Sequence, residues 1–483
     1  MMSSVNVLAD ADNRRCCIGD PQCRSLNGNS AMVSLKLRGY ACEAGKMAGD
    51  TTPLRDRGPG GLNLLSATQA AEKIAAGETT SLAVVEDCLA RIATRDPDIR
   101  AWAFVDPELA RRQARARDQE PRRSAFHGLP IGIKDIFDTF DMPTAYGSPI
   151  YKGHRPAIDT VIVGLLRRAG LVILGKCATT EFASPVPIGV KNPHDFGRSP
   201  GVSSSGSAAA VADYMVPLSV GSQTGGSTIL PAAFCGVFGF KASLTGIDRG
   251  GIRHLRPGLD TMGLFARDLR DIVTLQAIVT GVRPAALPAE FKSVRVGVCR
   301  TLNWHQALPE SVDALERAAN ELSSKGAKVH DVDMPDVFVG IEDSFRVISS
   351  VEGARALAAE MRDHFDQLNH WVQAGQKTAS QFDQLKFDEA ELHVIACMHA
   401  IAEIFESCDV ILTPSTCGEA TTDLTGISNS VFNRTWTVLQ GPCVNIPAYR
   451  GPNGLPVGVQ IVGPVGSDSR TLAFARAIAA TLM

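Results

Sequence analysis

The 483-residue chain has no stretch of about 18 apolar residues free of charge, which argues against a membrane-spanning helix. It opens on no basic segment followed by an apolar run, and Asp10 and Asp12 come early. Neither a secretory leader nor a transit peptide is therefore expected. Charge of one sign is also scarce. The 48 basic residues face 51 acidic ones, a formal net charge of -3, and no basic run stands out. Nothing here attracts nucleic acid. Several local motifs are missing: GxGxxG, a P-loop lysine after glycines, HExxH and the GxSxG nucleophile elbow. The usual Ser-His-acid hydrolase has no local support. The expectation is a cytoplasmic protein with no membrane or nucleic-acid partner.

The 12 cysteines do not suggest disulfides or a metal centre. Cys88, Cys177, Cys235, Cys299, Cys397, Cys408 and Cys443 lie in apolar or periodic segments and read as small core residues. Cys16, Cys17, Cys23 and Cys42 match no zinc spacing, and no histidine completes a site there.

Hydrophobic residues make up 45% and charged residues 20%, the balance of a globular chain with a large core. Residues 1–60 are polar, rich in Gly, Ser, Asn and Arg, and lack periodicity; the breaker cluster Arg57-Gly58-Pro59-Gly60-Gly61 closes them. They read as a disordered extension, or as sequence upstream of a true start at Met32 or Met47. Residues 61–483 form the folded domain. Ser66-Ala67-Thr68-Gln69 has capping-box form, and Ser81 opens a second helix. Further helices are expected over 107–119, 207–213, 309–325, much of 340–405, and 470–480. Strands are expected over 102–105, 171–174, 294–298, 410–413 and 458–462. Alternating strands and helices predict an α/β fold with a mostly buried sheet.

Two stretches carry chemistry. In Gly128-Leu-Pro-Ile-Gly-Ile-Lys134-Asp135 a lysine ends an apolar run. Either its ammonium reaches water, or it is buried and becomes a base near neutral pH. In Gly201-Val-Ser203-Ser204-Ser205-Gly206-Ser207 and Gly221-Ser-Gln-Thr-Gly225-Gly226-Ser227 small residues permit close backbone approach. Their N–H groups either converge on an anion or simply allow two loops to pack.

These stretches, with Asp409–Ser415 (DVILTPS) and Gly454–Pro464 (GLPVGVQIVGP), resemble the amidase signature family of amide hydrolases from about Leu64 to the C-terminus. The resemblance implies one α/β domain, a mixed, twisted sheet of roughly ten strands covered by helices on both faces. It also implies a Ser-Ser-Lys triad: Ser227 as nucleophile, Ser203 behind a cis peptide bond, and Lys134 as base. The backbone N–H groups of Thr224, Gly225, Gly226 and Ser227 would form the oxyanion hole. No metal and no cofactor would be needed, the substrate would be a small-molecule amide, and a homodimer, which the family often forms, is one option.

The chain departs from the family pattern at four places. Gln223 replaces the usual Asp; Thr228-Ile229-Leu230 lacks the usual Arg after the nucleophile; Ser205 replaces a glycine; and Ala242 replaces a proline. They leave one alternative beside an active amidase, a weakly active or non-catalytic binding protein on the same scaffold, and Gln223 with the missing Arg argues against another, the glutamine-amidase subunit of an amidotransferase. Pocket walls are expected from residues 144–150, 181–190 and 429–447, with Ser204, Phe432 and Trp436 as substrate-binding candidates. Phe432 and Trp436 read equally as helix packing or as pocket lining, and if they line the pocket an apolar or aryl acyl group is favoured.

Overall fold

The computed structural model describes residues 61–424 and 429–483. The extension expected over 1–60 lies outside them. Ser66 opens the first helix, Ala67–Ala75, through the expected capping box: its side chain accepts from the Gln69 N–H, and Gln69 reaches back to the Ser66 N–H. Thr80 caps Ser81–Ile99 and Asp106 caps Pro107–Gln119 through their side chains.

Eleven strands form one sheet: β1 (Trp102–Val105), β2 (Pro130–Lys134), β3 (Val172–Cys177), β4 (Leu218–Gln223), β5 (Phe238–Lys241), β6 (Thr261–Ala266), β7 (Arg295–Val298), β8 (Lys328–Asp331), β9 (Val410–Pro414), β10 (Cys443–Arg450) and β11 (Pro456–Val462). Their order is β1-β3-β2-β4-β6-β5-β10-β11-β9-β7-β8. The sheet is mixed. β2 runs parallel to both β3 and β4, and β7 to both β8 and β9, whereas β4 to β6 to β5 to β10 to β11 to β9 is antiparallel throughout.

Both faces of the sheet are covered, and β3 demonstrates it by alternation. Val172 and Leu174 pack in one apolar cluster with Val85 and Cys88 of Ser81–Ile99 and Ala208–Ala212. Ile173, between them, packs in another with Ile162 and Leu166 of Val161–Arg168 and Ile272 of Leu269–Thr280. Successive strand side chains point to opposite faces, so helices lie on both sides. β2, β3 and β4 are buried along their whole length, and their mostly small and apolar residues are broken only near the carboxyl ends, by Lys134, Lys176 and Gln223, and by the small Ser219 and Ser222. All seven cysteines expected in the core are buried and free.

The 340–405 region is not one long helix. It is Ile341–Ala356, Ala358–Asp363, His370–Ala379 and Gln384–Ser407. Asn369 caps the start of the third through its side chain, and Asp383 the start of the fourth, each satisfying N–H groups of the new helix's first turn.

Candidate active site

Lys134 and Ser222 both lie at the carboxyl end of neighbouring parallel strands, β2 and β4, paired through Ile133 and Val220. In a parallel sheet this is the edge where chains leave for the helices, and where ligands collect. The helix Ser205–Ala212 crosses there. Every residue in it is buried, and its small side chains let it sit deep. Gly206 is obligatory in that position: a Cβ would come within 2.5 Å of the carbonyl oxygens of Ala101 and Ala178. Gly221 likewise makes room for Ser204, whose Oγ would lie 2.9 Å from an added Cβ.

This packing brings Ser203 and Ser204 onto Lys134. The lysine is fully buried. Its Nζ lies 2.8 Å from Ser203 Oγ, 2.9 Å from Ser204 Oγ and 2.9 Å from Ser222 Oγ. No carboxylate among the described residues pairs with it. Burial brings its pKa down to about 7, against the opposing charge of Asp260. A neutral amine has two N–H donors and one lone pair, so three hydroxyls match it: two accept and one donates. The Ser204 hydroxyl proton is already directed at Ser222 O, 3.0 Å away. Ser203 has no such competing acceptor among the described residues, which leaves its proton free for the lysine. Ser204 therefore positions the pair and faces no cavity.

Ser227 follows β4 through the turn Thr224-Gly225-Gly226. Its side chain opens on a cavity of about 250 Å³ lined also by Ala183, Pro185, Val202, Arg256, Trp371 and Arg434. Among the described residues no hydrogen bond joins Ser203 to Ser227, and none of the N–H groups of Gly225, Gly226 and Ser227 donates to another protein group. A row of unengaged N–H groups beside a hydroxyl is the arrangement that stabilises an oxyanion. The described backbone has no cis peptide bond, so the bond expected before Ser203 is trans, the lower-energy form for a residue other than proline.

Gln223 holds this turn from both ends. Its Oε1 accepts from the N–H groups of Thr228 (2.9 Å) and Ile229 (3.0 Å), satisfying donors at the start of the helix Ile229–Cys235. Its Nε2 donates to Thr437 Oγ1 at 3.0 Å, and that hydroxyl donates to Gly225 O at 3.0 Å. Thr224 is tied separately, its Oγ1 donating to Asp260 Oδ1 at 2.5 Å. The missing Arg leaves no charge stranded: Ile229 is fully buried in an apolar cluster with Leu259 and Trp436.

Phe432 and Trp436 belong to the core and line no part of the cavity. Both sit on the helix Val431–Val438, whose cavity-facing side presents Arg434 instead. Of the expected wall segments, 181–190 contributes Ala183 and Pro185, 429–447 contributes Ser430 and Arg434, and 144–150 contributes nothing. Ser222 and Asp260 carry no signal of their own in the sequence, and neither do the wall residues Arg256, Phe345, Ser349 and Trp371.

Comparison with known proteins supplies the family. The amidase family model matches residues 83–472. The chain belongs to the amidase family. It is an amide-hydrolysing enzyme. It is 30% identical over 466 residues to a glutamyl-tRNA(Gln) amidotransferase subunit from Chloroflexus aggregans, covering 83% of this chain and 93% of that one. A crystal structure described as an amidase superposes with a TM-score of 0.80 at 26% identity, over 87% of this chain and 100% of the other. The native peptide amidase of Stenotrophomonas maltophilia gives a TM-score of 0.75 at 26% identity, over 87% and 97%. Among the described residues no helix is long and apolar enough to cross a membrane.

Proposed function

We propose that this amidase hydrolyses a small carboxylic amide through an acyl-enzyme on Ser227, with Ser203 and Lys134 as the proton relay. The supporting observation is the fully buried Lys134 amine, 2.8 Å from Ser203 Oγ and without a carboxylate partner among the described residues. A lysine with a pKa of about 7 is largely neutral above that pH and can accept a proton.

The steps balance without a cofactor. Lys134 takes the Ser203 hydroxyl proton while Ser203 takes that of Ser227. This requires the Ser227 hydroxyl to turn towards Ser203 as substrate binds. The Ser227 oxygen attacks the carbonyl carbon, and the N–H groups of Thr224, Gly225, Gly226 and Ser227 receive the oxyanion. One essential donor of this kind contributes about 3–4 kcal/mol. The C–N bond breaks as the proton returns from Lys134 through Ser203 to the leaving nitrogen, while Ser227 stays bound to the acyl carbon. Water then attacks the ester by the same route and releases the acid. An amide and an activated ester of one acyl group should partition between water and hydroxylamine with a common product ratio. Different ratios would rule out a shared acyl-enzyme.

A second reading is the glutamine-hydrolysing subunit of a tRNA-dependent amidotransferase. Its support is the 30% identity to relatives named for that complex over most of the chain. Amide hydrolysis by the isolated protein at a rate unchanged by added partner subunits would count against it.

A further inference from the structure

Arg256 lies between β5 and β6, in the wall shared by the Ser227 cavity and an adjoining basin of about 470 Å³. Only 6% of it is exposed. A guanidinium at that depth ordinarily has an anionic partner. Here its Nε donates to neutral acceptors alone, Ser349 Oγ at 2.9 Å and Ser349 O at 3.3 Å. Its Cζ stands 5.8 Å from the centre of the Trp371 ring. Among the described residues it forms no ion pair, and neither Nη donates to a protein atom. Neither Nη is fully sealed within the protein.

The nearby carboxylates Asp260 and Glu352 act on Arg256 through charge, but their hydrogen bonds come from groups other than its guanidinium. Asp260 accepts from Thr224 Oγ1 and from the N–H groups of Leu255 and Arg256 itself. Glu352 accepts from the Gly258 N–H, and burial pushes its pKa up to about 7. Glu342 pairs with the other arginine of the wall, Arg434, at 2.6 Å. Arg256 is thus a buried cation, its fork unbonded, in the wall that the Ser227 cavity shares with the adjoining basin. That fork matches a carboxylate in two parallel hydrogen bonds.

We propose that Arg256 binds a carboxylate carried by the substrate, so that the preferred substrates are short amides bearing an acid group on the acyl or the amine side. The inference rests on Ser227 as the acylated residue, and it replaces the apolar or aryl acyl group expected from Phe432 and Trp436. The cavity of about 250 Å³ sets the short length.

The test separates recognition from turnover. The full-length Ser227→Ala protein is titrated calorimetrically with succinamate and butanamide, and with N-propanoylglycine and N-ethylpropanamide. Wild-type kcat/KM is measured for the same compounds. At least one acid should bind about tenfold or more tighter than its neutral counterpart, and the pair that does so identifies which side of the amide carries the acid. Arg256→Met should collapse the ratio to within about twofold, and Arg256→Lys should recover part of it. Equal binding of acids and neutral amides, or an equal loss of both in Arg256→Met, would overturn the proposal. Should Arg256→Met fail to fold, the wild-type ratio and Arg256→Lys decide. Tight acid binding without turnover would sustain recognition and remove the hydrolytic reading. Turnover without acid preference would do the reverse.

Discussion

Lys134 Nζ and Ser203 Oγ stand 2.8 Å apart in a pocket sealed from water, one at the end of a central strand and the other just before a buried helix. Their sequence separation is bridged by the parallel pairing of β2 with β4 and by the small residues of Ser205–Ala212. Burial, not a neighbouring charge, lowers the lysine's proton affinity. The proposed base and its proposed first proton donor are thus brought together by the same packing.

The rate should follow that burial. With the Lys134 pKa at about 7, the neutral form grows as pH rises through that value, so kcat/KM should climb through neutrality and level above it. A rate flat from about pH 5 to 9, with chemistry shown to be the slow step, would contradict Lys134 as base.

Gln223→Leu removes the acceptor of two buried N–H groups and the donor to Thr437. A buried unsatisfied donor costs about 1–3 kcal/mol, so the urea midpoint should fall accordingly. Because Gly225 and Ser227 lose their support, kcat should fall about tenfold or more, with KM changing less. An unaltered kcat would mean that the turn holds its shape without Gln223.

Trp436→Ala should behave as a core deletion, costing about 3–5 kcal/mol of stability. Its indole N–H has no partner, so Trp436→Phe should cost much less. In both variants that remain folded, KM for an amide should move by no more than about twofold. A KM rise without loss of stability would return Trp436 to the substrate wall.

Ser204→Ala should slow the reaction without removing it. The hydroxyl fixes Ser222 and contacts Lys134 but faces no cavity. The expected signature is a kcat reduced about tenfold together with a displaced pH profile, whereas Ser203→Ala should lose nearly all activity. Equal losses in the two variants would contradict the division of roles.

What is legible in the sequence depends on how local the signal is. The capping box at Ser66, the helix 107–119 and the apolar run 171–174, which opens the strand Val172–Cys177, each announce themselves within a few residues. Lys134, Ser203 and Ser227 emerge through the family's ordered motifs. Composition alone leaves the lysine as readily in water as in the core. Arg256, Ser349 and Trp371 do not emerge this way. They reach the cavity from three separate segments, and no pattern within any one segment reports which surface it meets. Phe432 and Trp436 mislead for the related reason that an aromatic pair four apart on a helix looks the same whether it packs a core or lines a pocket.

The central claim is an activated Ser227, and intact-mass analysis after treatment with a fluorophosphonate tests it most directly. Wild type, Ser227→Ala and Lys134→Met are compared, and the adduct is mapped by peptide digestion. The account predicts one adduct on Ser227 in the wild type, none in Ser227→Ala, and labelling slowed about 100-fold or more in Lys134→Met. No adduct on folded wild-type protein, or an adduct that persists in Ser227→Ala, would contradict it.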